Sequence, residues 1–389
     1  MISNREINIE IRGVSFVNKG AELMLNAVIQ QIRKRYPNAK MAMELNIGKD
    51  RQFIETQYQK IRSYGLYVKP SGRRYKIPAA LFAALFLRFS KMRAHLLPEK
   101  DIHVVLDASG FAFGDQWGAT FAKKRLSDDI EKWKLAGKKI ILLPQAFGPF
   151  GKHDVVKEVN KIIHNVDLVF ARDKLSYEHL KALSGADGLT YLRPDFTNLS
   201  LGEKPISFDQ NKYQVAVIPN FKMLNGGENA AAYLHLLKEI VTGIQKRGYT
   251  PFFLMHEGKK DEDIALKVNS TLAQPLAIIW EENPLKLKGI IGAVHGVVTS
   301  RFHGLVSALS QGVPSLATSW SHKYEMLLAD YAYSEALVKP PYQDLEQKID
   351  LLLDEDKHAS IRAKLREKAS IEKEKSVEMW EQVFKVVDS

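Results

Sequence analysis

Short apolar runs rich in β-branched residues alternate along the chain with stretches whose apolar positions recur at helical spacing. This is the pattern of parallel βα units. In the first half, strands are expected over 7–12, 41–45, 103–107, 139–144, 167–171 and 190–192. A helix expected from about Gly20 to Tyr36 repeats apolar Leu25, Val28, Ile29 and Ile32 and stops at Pro37. The linker-like stretch 200–207 breaks the rhythm, which restarts with strands over 213–219, 251–255, 277–280, 297–300 and 315–319. Helices are expected between them over 228–247, 261–272, 284–293 and 302–311. The fold class this predicts is α/β, with two doubly wound, Rossmann-like domains facing a cleft. The domains are placed at 1–205 and 206–355, with a charged helical tail, 356–389, packing back on them through Ile361, Leu365, Met379, Trp380, Val383 and Val387.

Composition narrows the chemistry. The 389 residues include no cysteine, which excludes disulfides, zinc-cysteine sites and a cysteine nucleophile and fits a reducing compartment. The start, Met1-Ile2-Ser3-Asn4-Arg5-Glu6, lacks the layout of a signal peptide, so a cytoplasmic protein is expected. The net charge of +11 favours anionic partners. Most of that excess lies between Lys60 and Lys100, where ten basic residues face one acid, Glu99. This window surrounds an apolar run, 77–89, shorter than the roughly 20 residues a membrane span needs. The segment 77–93 reads two ways: a helix lying peripherally in an anionic membrane interface, or a core helix with solvated basic ends. Nucleic acid is not an expected partner, because the cations cluster around one apolar run instead of spreading along a groove with stacking aromatics.

Candidate chemistry falls where strands end and helices begin, the ligand-binding edge of such sheets. After the first strand comes Asn18-Lys19-Gly20-Ala21-Glu22, with Asn18 able to cap the helix. A glycine-interrupted loop, Asp107-Ala108-Ser109-Gly110-Phe111-Ala112-Phe113-Gly114-Asp115, follows the third, and Asp115 suits a sugar hydroxyl, a base or a helix cap. Gln145, before Gly148-Pro149, offers an amide for a polyol. Arg172-Asp173 reads as a cleft-facing cation beside an N-cap, or as a surface ion pair. In Thr299-Ser300-Arg301-Phe302-His303, Ser300 is expected as cap, Arg301 offers a two-pronged grip on carboxylate or phosphate, and His303 can carry a proton near neutral pH. Lys323 adds a cation, and His256 is a second histidine candidate. The Asp-Glu-Asp triplets at 261–263 and 354–356 are set aside, the first as dipole-stabilising acids and the second as part of the tail. No HExxH, GxSxG or Walker loop occurs, and no metal site is expected.

Taken in order, Asn18-Lys19-Gly20-Ala21-Glu22, Ser109-Gly110 with Asp115, Gln145 with Gly148-Pro149, Arg172-Asp173, Pro194-Asp195-Phe196, Ser300-Arg301-Phe302-His303 and Lys323 resemble the polysaccharide pyruvyl transferase family. The resemblance implies a glycosyltransferase-B-like fold, an acceptor side in 1–205 and a donor side in 206–355. It also implies transfer of the enolpyruvyl unit of phosphoenolpyruvate to a sugar of a lipid-linked or cell-surface glycan, usually as a cyclic ketal. On it, Arg172, Arg301 and His303 fall on donor-binding and catalytic positions, with phosphoenolpyruvate as co-substrate and no other cofactor. Many relatives have Gly-Asp where this chain has Gly20-Ala21, and Ser-Gly-Gly-Gly where it has Ser109-Gly110-Phe111-Ala112. His303 is expected as proton donor or as phosphate partner. The alternative is a glycosyltransferase using a nucleotide sugar, which would share the fold and the Arg-x-His edge.

Overall fold

The computed structural model describes residues 5–45, 51–69, 95–183, 188–224, 228–318 and 321–389. The segment 77–93, read as a membrane contact or core helix, lies outside them. Among the described residues no helix is long and apolar enough to cross a membrane.

The chain forms two units. The first comprises Met1–Phe16, Met24–Pro194 and Glu378–Ser389, and the second Val17–Leu23 and Asp195–Val377. In the first, strands β1 (Asn8–Arg12), β2 (Lys40–Glu44), β3 (Tyr67–Lys69), β4 (Val104–Asp107), β5 (Phe111–Phe113), β6 (Lys139–Phe147), β7 (Leu168–Ala171) and β8 (Thr190–Leu192) are described. They form a parallel sheet ordered β3-β2-β1-β4-β6-β7-β8, with β5 pairing β6 off that path. In the second unit, β9 (Val215–Ile218), β10 (Pro251–Met255), β11 (Ile278–Trp280), β12 (Gly296–Thr299), β13 (Ser315–Thr318) and β14 (Leu337–Val338) are ordered β11-β10-β9-β12-β13-β14, again parallel.

Both sheets reverse direction of growth beside their first strand, between β1 and β4 and between β9 and β12. Such a switch point opens a crevice at the carboxyl ends of the strands. Parallel strands buried on both faces need apolar side chains throughout. In the second unit Val215 and Val217 join one core while Ala216 and Ile218 join the other, across the sheet.

Several expectations change. The unit boundary falls at Pro194/Asp195, not near 205, because the turn before the supposed linker and the linker itself are bound into the second unit: Lys288 Nζ donates to the Thr197 carbonyl and Glu203 N–H to that of Leu285. Phe111–Phe113, expected as loop, is a strand because its backbone pairs with Ala146 and Phe147. The stretches β3 and β14 were too short to stand out as apolar runs. The tail is one helix, Glu355–Asp388. Its Leu365 and Ala369 enter the core of the second unit, while Asp388 accepts hydrogen bonds from Tyr36 and Arg35 of the first.

Candidate active site

In the second unit, β12 delivers Thr299, Ser300 and Arg301 to the switch point, and β9 delivers Asn220 beside them. The Ser300 N–H donates to the Ile218 carbonyl and its own carbonyl accepts from Asn220 Nδ2. Ser300 is not the helix cap. Its hydroxyl is turned inward to Tyr233 and Thr318, at 2.7 and 2.6 Å, so the helix Phe302–Leu309 starts from Arg301, whose N–H donates to Thr299 Oγ1. Burial pushes the Tyr233 phenol well up, so it stays protonated and serves this network as a hydroxyl.

Arg301 is buried and engaged by two carboxylates. Its Nη2 donates to both oxygens of Asp261, at 2.6 and 2.7 Å, and its Nη1 donates to Glu257. Burial pushes the Asp261 carboxyl up to about 7, against the pull of the Phe221 N–H that it accepts, and lowers the guanidinium to about 10. Both acids come from the end of β10 and the start of the helix Gly258–Asn269. Asp261, expected as a dipole-stabilising acid, is instead a buried partner of the arginine.

The segment Val17–Leu23 brings a second charged group. Asn18 caps the helix Lys19–Arg35 by accepting from the Gly20 and Ala21 amides, and its Nδ2 donates to Glu257. Lys19 Nζ donates to Glu22 and Glu282 carboxylates, at 3.0 and 2.9 Å. Gly20 lies against the His303 ring so closely that a Cβ there would overlap it. An acid lies near the same ring: Nε2, buried and without a hydrogen-bond partner among the described residues, is 3.4 Å from Asp195 Oδ2, an ion pair once the imidazole is protonated. His256, at the end of β10, is buried and held neutral, its pKa lowered well below the ordinary value by burial and then by Arg301, His303 and Lys19. Its Nδ1 has no hydrogen-bond partner among the described residues, so it is not a satisfied core histidine. Lys323 Nζ lies over the Phe302 and Tyr324 rings.

The remaining candidates belong to the first unit. Gly13 takes a positive φ of 84° after β1, and a side chain there would strike Ser109. Asp107, ending β4, accepts from the Ser109 N–H and from Gln145 Nε2, at 3.1 and 3.2 Å. Gln145 is thus a buried strand residue of β6, not a loop amide. Asp107 Oδ2, Ser109 Oγ and Gln145 Oε1 have no partner among the described residues, leaving hydrogen-bonding capacity at this switch point, next to Gly110. The Arg172 N–H donates to the Gln145 carbonyl, and its side chain is buried. Asp173 caps the helix Lys174–Lys181 through the Ser176 N–H. Asp115 accepts from the Gly151 and Lys152 amides, a loop-closing role. Among the described residues no group of three His, Asp or Glu side chains is arranged to hold a metal ion.

The family model of polysaccharide pyruvyl transferase matches residues 18–322, the span holding every candidate above except Gly13 and Lys323. The chain belongs to the polysaccharide pyruvyl transferase family. Membership makes it a transferase acting on polysaccharide. No curated protein sequence matches it. Among solved structures, HepE of Anabaena, with UDP and glucose, is 12% identical over 98% of this chain and 99% of that one, with TM-score 0.59. A putative UDP-N-acetylglucosamine 2-epimerase from Listeria monocytogenes is 12% identical over 92% and 91%, TM-score 0.55. S. aureus MnaA with UDP is 11% identical over 93% and 91%, TM-score 0.54. These likenesses show the glycosyltransferase-B fold of this pyruvyl transferase family member and nothing finer.

Proposed function

We propose that the enzyme moves the enolpyruvyl unit of phosphoenolpyruvate onto a polysaccharide sugar, forming a cyclic ketal and releasing phosphate. The observation supporting this reading is the placement of Arg301 and His303 together at one switch point, with Asp195 behind the histidine. A donor with a carboxylate and a phosphate needs cations and a proton source, and charge-assisted hydrogen bonds contribute about 1.5–3 kcal/mol each. Arg301 offers its grip when the donor displaces Glu257, the more exposed of its two acids. Arg172 keeps the role its family position implies, a further cation for the donor.

In the proposed reaction His303 gives a proton to the methylene carbon, leaving an oxocarbenium-like C2. A first sugar hydroxyl bonds to C2, the C2–O bond to phosphate breaks, and a second hydroxyl closes the ketal. One hydroxyl proton restores the histidine and the other leaves with phosphate or solvent. No cofactor beyond the co-substrate is invoked. The basic apolar segment 77–93 supports a lipid-linked acceptor met at a membrane surface.

The test is incubation with phosphoenolpyruvate and a panel of lipid-linked or aryl glycosides, following phosphate release and a mass gain of one pyruvyl unit. His303→Ala or Arg301→Ala with full phosphate release rejects the site. A second reading, transfer from a nucleotide sugar, is motivated by the UDP in the HepE and MnaA structures. A thermal shift separates the two: phosphoenolpyruvate stabilises a pyruvyl transferase, and a UDP-sugar stabilises the rival.

A further inference from the structure

The helix Pro284–Ala293 carries Lys288, whose side chain is only 1% exposed. Its Nζ makes one hydrogen bond among the described residues, 2.8 Å to the Thr197 carbonyl. An ammonium has three donors, and taking it out of water without a bonded carboxylate is unfavourable. A methionine of similar length would suit the position better on packing grounds. Residues that break a local rule without a gain in stability are expected at functional sites.

What Lys288 holds is the turn behind the histidine. Thr197 lies in the single 3₁₀ turn Phe196–Leu199, capped by Asp195. Asp195 Oδ1 accepts from the Thr197 N–H at 3.1 Å and from its hydroxyl at 2.5 Å. The other oxygen of that carboxylate is the one 3.4 Å from His303 Nε2. A lone turn does not hold itself in place, since nucleation of helical structure is unfavourable. Besides Lys288, Asn198 Nδ2 ties the turn to the Glu372 carbonyl on the long C-terminal helix.

We propose that Lys288 is a positioning residue of the transferase site: through the Thr197 carbonyl it fixes the Asp195 cap, and Asp195 sets the His303 imidazole for proton transfer. This rests on the reading of His303 as proton donor. Burial lowers the lysine to about 7, Lys373 on the C-terminal helix pushes it the same way, and Asp195 opposes both. Tyr331 and Glu372 also face this cluster. The neutral amine keeps an N–H for Thr197, so the anchor survives loss of the charge.

The test uses Lys288→Met, apolar and close in length, and Lys288→Gln, which keeps an N–H donor without charge. Lys288→Met is expected to melt no lower than the wild type, to leave KM for phosphoenolpyruvate within about twofold, and to lose about tenfold to a hundredfold in kcat through misplacement of the proton donor. Lys288→Gln is expected to recover most of that kcat. Wild-type kcat in Lys288→Met overturns the proposal, and so does a kcat loss matched by a falling melting temperature that glutamine does not restore. If Lys288→Met does not fold, Lys288→Leu replaces it; failure of both makes the lysine a fold-holding residue and also overturns the proposal. His303→Ala is measured alongside. Full phosphate release there rejects the reading of the site, whereas an inactive His303→Ala beside an unimpaired Lys288→Met rejects this inference alone.

Discussion

Both oxygens of the Asp261 carboxylate accept hydrogen bonds from Nη2 of Arg301, forty positions along the chain, at 2.6 and 2.7 Å. The pair is buried, so each partner is the other's main substitute for water. Removing Asp261 strips the buried guanidinium of its two-oxygen partner and leaves it Glu257, with each charge-assisted hydrogen bond lost worth about 1.5–3 kcal/mol. Asp261→Ala is therefore expected to unfold at markedly lower denaturant and to lose transferase activity. Chemical denaturation of the variant against the wild type measures the first effect, and an unchanged midpoint would contradict the pairing.

Glu257 holds the other arm of Arg301 and is itself partly exposed, with 17% of its side chain open. In the proposed reaction the anionic donor competes with it for the guanidinium. Glu257→Gln is expected to lower KM for phosphoenolpyruvate by about tenfold or more, roughly the weight of one charge-assisted hydrogen bond. A raised KM would show that Glu257 orients the arginine instead of competing for it.

Gly20 sits against the ring of His303, where any side chain meets the imidazole. Gly20→Ala leaves the helix Lys19–Arg35 intact, since alanine is the better helix former. The ring must move instead, and with His303 as the proposed proton donor its misplacement is expected to cost about tenfold or more in kcat. Steady-state kinetics beside a circular dichroism melt separates this from unfolding.

The buried Lys288 also predicts a pH dependence of stability. Its folded-state pKa is lowered to about 7, against 10.5 in the unfolded chain. Between those values the unfolded state binds the extra proton, so this group makes stability rise with pH, by at most about 1.4 kcal/mol per unit. The difference in melting temperature between wild type and Lys288→Met is expected to shrink from pH 7 to pH 9.5. A constant difference across that window would mean the lysine titrates normally.

The basic apolar segment gives a prediction drawn from sequence. Replacing Leu81, Phe82, Leu85 and Phe86 by Ser is expected to abolish pelleting of the protein with vesicles of anionic phospholipid. Equal, negligible pelleting of both proteins would remove the membrane surface from the picture.

Periodicity carried the βα order well. The strand Pro251–Met255 and the helix Pro284–Ala293 have the limits that their apolar runs indicate. The Arg-x-His motif and the Asn18 cap were also legible, because strand ends and capping residues are local features. Phe111–Phe113 was not, since a three-residue strand exists only through its pairing with β6. Asp261 and Lys288 were not legible either. An acid in a first helical turn and a lysine within a helix both have ordinary solvent-exposed explanations, and burial is what removes them.

By itself, then, the amino-acid order determined the alternation of parallel βα units, the presence of two of them, and the set of polar residues delivered to strand ends. Each follows from interactions within a few residues of chain. The tertiary structure decided the partnerships: Asp261 and Glu257 on Arg301, Asp195 behind His303, and Lys288 beneath Asp195. These join residues far apart in sequence, and periodicity specifies the face a residue occupies but not the group it meets there.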